Sequence, residues 1–73
     1  MNYEAKDYEI TVWWSARDGA FIGTCVEFPH LSGVGDTRED AAREMQVALE
    51  GALEIAREKN IVLPAPTRRA ALA

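Results

Sequence analysis

The run from Val26 to Ala41, Val-Glu-Phe-Pro-His-Leu-Ser-Gly-Val-Gly-Asp-Thr-Arg-Glu-Asp-Ala, sets the tightest limits on what this chain can fold into. It compresses a strand exit, a proline turn, two glycines and a helix start. Thr37 reads as the helix N-cap, because its hydroxyl can accept from an amide two or three residues on. Glu39 and Asp40 then fall in the first turn, where the helix dipole favours acids. No proline interrupts from Arg38 to about Lys59, and Asn60 is a reasonable terminator. Ala41, Ala42, Met45, Ala48, Leu49, Ala52, Leu53 and Ala56 share one stripe of that helix. The alanines allow it to sit close to a sheet.

The residues before this run read as strands. Tyr8 to Trp14 alternates, with Tyr8, Ile10, Val12 and Trp14 on one side and Asp7, Glu9, Thr11 and Trp13 on the other. Ser15 to Gly19 supplies a turn, with Asp18-Gly19 as its strongest signal. Ala20 to Val26 returns as a second strand, whose facing the pattern leaves open. Pro29 lacks an amide hydrogen and ends it. Leu31 to Gly35 fits a short third strand, in which Gly33 and Gly35 permit close backbone approach or positive φ. Ile61-Val62-Leu63 is a candidate fourth strand, stopped by Pro64 and Pro66. The expected class is α+β: a three- to four-stranded, mostly antiparallel sheet in β-β-β-α-β order with one long helix on one face. One domain over residues 1–66 is expected, followed by a tail at 67–73.

With 73 residues, such a domain has little core to spare. Cys25 is the only cysteine, so no internal disulfide forms, and a lone thiol suits a reducing compartment. Metal ligands are sparse, and no cofactor is expected. A homodimer or larger homo-oligomer is therefore the expected stabiliser. The net charge of −4 disfavours direct nucleic-acid binding, which needs a clustered basic face. No apolar run follows the charged N-terminal residues, so neither a signal peptide nor a membrane span is expected, and a cytoplasmic location follows.

Three segments resemble the HicB antitoxin family: Asp18-Gly19-Ala20-Phe21 at the hairpin, Glu27-Phe28-Pro29-His30-Leu31-Ser32-Gly33 at the turn, and Gly35-Asp36-Thr37-Arg38-Glu39-Asp40-Ala41 at the helix start. The resemblance spans about residues 8–63. It implies a partial ribonuclease H-like core and a non-catalytic role, covering a small RNA-cutting toxin of the HicA type. Relatives often carry a cysteine after the proline-glycine turn, where this chain has Val34. Many also carry a C-terminal DNA-binding module, and this chain ends about where one would begin, so autoregulation by this chain alone is not expected. An orphan homo-oligomer without an active toxin is the alternative within the family.

Candidate sites follow from position. No catalytic residue and no metal ligand is assigned. A metal-dependent nuclease would need converging carboxylates, and Asp36, Glu39 and Asp40 are accounted for by capping. His30 lacks the partners of a nucleophilic triad. The Gly33-Val34-Gly35 segment matches no phosphate-binding fingerprint. The Arg68-Arg69 tail holds too little charge for tight nucleic-acid binding. Trp13 lies on the strand face expected to be bare of helix, either as an interface anchor or flat on its neighbours. Val47, Gly51 and Ile55 recur every four residues outside the main stripe. They form either a contact line, with Gly51 admitting another backbone, or a widened core stripe with a stray valine. Trp13, Val47, Gly51 and Ile55 are thus the candidate partner or oligomer contacts.

Overall fold

Two cross-strand rungs of side chains decide how this protein is layered. The computed structural model describes residues 3–67. Strands β1 (Thr11–Ser15), β2 (Ala20–Thr24) and β3 (Gly33–Gly35) form one antiparallel sheet in the order β1-β2-β3. The register aligns Val12, Gly23 and Gly33 on one rung and Trp14, Phe21 and Gly35 on the next. Both rungs face helix α1 (Arg38–Glu58). Side-chain size falls from β1 to β3, so the helix settles over β3 and β2 and leaves β1 at its flank. A Cβ on Gly33 would stand 2.4 Å from the Met45 amide nitrogen and 2.7 Å from the Ala41 carbonyl oxygen. Glycine is needed here for close approach, not for positive φ.

The ends of α1 are set by local chemistry. Thr37 is the N-cap, and its Oγ1 accepts from the Asp40 amide at 3.0 Å. At the other end Asn60 takes φ 53°. The Ile61 amide then reaches back to the Ala56 carbonyl at 2.8 Å and the Asn60 amide to Arg57 at 3.3 Å. That pair of bonds is a Schellman closure, with asparagine in the left-handed position usually given to glycine.

A helix of 21 residues is about 32 Å long. Three strands span on the order of 10 Å between outer axes. The sheet therefore underlies only the first half of α1, around Ala41 and Met45. The second half packs its buried Leu49 and Leu53 on segments outside the strands. These are the short 3-10 turn Ala5–Asp7, Cys25 and Phe28 after β2, and partly buried Leu31 and Leu63. Tyr8 is central: its ring lies edge-on to Phe28 at 5.1 Å and to Tyr3 at 6.1 Å.

Three local expectations change. The first strand starts at Thr11 instead of Tyr8, because Asp7 accepts the Glu4 amide at 2.8 Å, closing a turn that drops Tyr8 into the core. Trp14 does face the helix layer, yet it is 53% exposed, because α1 is drawn toward the glycines of β3. The fourth strand at 61–63 does not form. Val62 is 91% exposed, and the segment is held by other bonds: the Tyr8 hydroxyl donates to the Pro64 carbonyl at 2.8 Å, and the Thr67 amide donates to Glu27 Oε2. The Arg68-Arg69 tail lies outside the described residues. Among the described residues, no helix is long and apolar enough to cross a membrane.

Candidate protein-binding surfaces

The alternation that turns the glycine rungs toward α1 turns the intervening rung away from it. That rung is Trp13, Ile22 and Val34, opposite one another across all three strands. Trp13 is 46% and Val34 54% exposed. None of the strand residues carries a charge. The uncovered sheet face is thus an apolar row set among small and hydroxyl side chains.

The second surface is the outer side of α1. Val47 and Ile55 are exposed, and Gly51 lies between them with nothing within 4 Å of where a Cβ would stand. Gly51 is therefore an open notch that none of the described residues fills. Glu50, Glu54 and Glu58 are exposed on the same helix. Glu50 accepts from Gln46 Nε2 at 3.2 Å, while Arg43 is engaged by Asp40 at 3.0 Å and Arg57 Nη2 donates to the Tyr3 carbonyl at 3.0 Å. Two of the helix's cations are thus occupied locally and its outer side is left acidic. Trp13 and the Val47–Gly51–Ile55 line lie on opposite layers of the molecule, so the four candidate contacts form two surfaces and not one.

Asp7 closes the 3-10 turn and Asp40 pairs with Arg43. Glu27 accepts from the Cys25 thiol at 3.3 Å and from the Thr67 amide. Among the described residues no three histidine, cysteine or acidic side chains are grouped so as to hold a metal ion. Burial acts to raise the Glu27 carboxyl, but the Thr67 amide, its own backbone amide and the Cys25 thiol outweigh it and hold Glu27 below the ordinary range. Burial first, and then the bond to Glu27, push the Cys25 thiol up. Cys25 is thus a protonated, inward-facing thiol, the reverse of a nucleophile's environment. His30 is an exposed residue beside Phe28, at 6.3 Å between ring centres.

The family model HicB-like_2, described as HicB_like antitoxin of bacterial toxin-antitoxin system, matches residues 7–71, most of the chain. The chain belongs to the HicB-like antitoxin family. The hairpin, the glycine turn and the capped helix that carry the resemblance all lie within that match. Family membership assigns the chain an antitoxin role in a toxin-antitoxin system, and with it a toxin as partner. Neither the comparison with curated proteins nor that with solved structures yielded a match.

Sequence reasoning singled out Trp13 but not its row-mates Ile22 and Val34. The signal was present in the hairpin: pairing Ser15 with Ala20 across the Asp18-Gly19 turn places Trp13 opposite Ile22. Alternation puts Trp14 on the helix side, and only the lateral placement of α1 reveals its exposure.

Proposed function

We propose that this chain is a non-catalytic antitoxin that neutralises a small RNA-cutting toxin of the HicA type by steric masking. Family membership supplies the antitoxin role. The observation that favours masking is the outer side of α1, where the open notch at Gly51, flanked by Val47 and Ile55, is set among glutamates. A protein that grips RNA presents a basic surface, and an acidic ridge with an apolar centre complements it in charge while excluding water at the middle. Bound there, the chain would occupy the surface that the toxin needs for RNA. The sheet, through its edge or its bare face, would serve self-association instead, since its charge-free strands bring no like charges together when two copies meet.

Growth rescue on co-expression with a HicA-type toxin from the same genome tests the masking role. Wild-type chain should restore growth and co-purify with the toxin. Gly51→Leu and Ile55→Lys should lose both while retaining the helical signal of the free protein. Failure of the wild-type chain to rescue or bind would overturn the masking role. Full rescue by both variants would move the toxin contact off α1.

A further inference from the structure

We propose that β1 pairs antiparallel with β1 of a second copy, joining two three-stranded sheets into one of six strands. The proposal rests on the self-association reading above and names its surface. β1 lies at the edge of the sheet, and among the described residues only β2 pairs with it. Its residues Thr11–Ser15 include no charge, proline or glycine. Edge strands that remain unpaired are usually blunted by charge or proline, and β1 has neither.

The tryptophans identify the kind of occupant. Trp13 and Trp14 are 46% and 53% exposed, and as successive strand residues they point to opposite faces. A partner laid on the open face would cover Trp13 and leave Trp14 bare. A strand added alongside β1 contacts both indoles and also satisfies the outward amides and carbonyls. Each indole leaves on the order of 100 Å² uncovered. Four of them in a symmetric pair therefore supply about a third of the ~1,200 Å² at which specific interfaces begin, and the flanking strand atoms must supply the rest.

Symmetry then fixes the register. A two-fold axis relating antiparallel edge strands stands perpendicular to the sheet, so both helices lie on the same side. Facing residues must share a side, which requires pairs whose numbers add to an even sum. Centring on Trp13 uses all five residues of β1. Trp13 then meets its own mate, Val12 meets Trp14 on the helix side, and Thr11 meets Ser15. The same register carries Arg17 of one copy, which lies 3.7 Å from its own Asp18 and has a side chain 92% exposed, toward the Glu9 end of the other. The middle of β1 is thus neutral and its paired ends bring no run of like charge together, which suits a second copy better than the acid-rich outer side of α1 would.

Sedimentation equilibrium of the full chain over micromolar to millimolar concentration gives the first reading. Dimer is expected, with Trp13→Glu and Trp14→Glu each raising the dissociation constant by roughly thirtyfold. Cross-linking gives a second reading that does not depend on weakening the fold. In a Cys25→Ser background, Trp13→Cys should oxidise to a disulfide-linked dimer, since facing antiparallel residues have Cα atoms within disulfide range. Val47→Cys should form no disulfide-linked dimer under the same oxidation. A wild-type chain that stays monomeric throughout would overturn both the edge pairing and the self-association reading. A wild-type dimer that is unmoved by both glutamate variants and gives no Trp13→Cys cross-link would overturn the edge pairing alone.

Discussion

A Cβ built on Gly33 falls 2.4 Å from the Met45 amide nitrogen, so α1 rests on the bare backbone of β3. No rotamer relieves such a contact, because both atoms belong to main chain or its first branch. Gly33→Ala is therefore expected to destabilise the fold by about 3 kcal/mol or more. Gly51 is the control within the same helix. It is exposed, with nothing near its missing Cβ, so Gly51→Ala should stabilise the free chain by about 0.5–1 kcal/mol. Urea unfolding of the two variants should shift the midpoint in opposite directions.

The Tyr8 hydroxyl donates to the Pro64 carbonyl at 2.8 Å, across most of the chain. Removing it leaves the ring packing on Phe28 intact and frees one end of the 61–67 segment. Tyr8→Phe should cost about 1 kcal/mol. Amide exchange at Ile61 and Leu63 should quicken more than exchange in the middle of α1, because the loss is local before it is global.

Glu27 and Cys25 set opposite limits on pH. The folded state holds the Glu27 carboxyl below its unfolded value, so its stabilising contribution is present above the unfolded value and is lost as pH falls through the folded one. Glu27→Gln should flatten the acid limb of a stability profile. The Cys25 thiol is pushed up, so stability is complete below its unfolded value and declines as pH rises toward the folded one. Cys25→Ala should remove that alkaline decline, though it also forfeits buried contacts. In the wild type, a maleimide should label Cys25 no faster than the chain opens.

The sequence carried the helix almost to the residue. Thr37 and Asn60 are local signals, and capping depends on neighbours a few positions away. Facing in β1 was legible for Trp13 because period-two alternation survives any packing. The start of that strand was not legible, since the Asp7 side chain closes a turn that alternation does not encode. Trp14 escaped for a different reason: its exposure depends on where α1 sits sideways over the sheet, and three glycines on two strands decide that together. The apolar run at 61–63 has strand composition, but among the described residues it pairs with no strand, and the bonds from Tyr8 to Pro64 and from Thr67 to Glu27 hold the segment instead. The separation of Trp13 from Val47, Gly51 and Ile55 into two surfaces became visible only once the two layers were in place.

Masking of a toxin is tested most directly by titrating the purified chain into an RNA-cleavage reaction run by a HicA-type toxin from the same genome. Cleavage should stop at stoichiometric addition, and Gly51→Leu should require a large excess. Cleavage that continues undiminished with wild-type chain in excess would contradict the masking role.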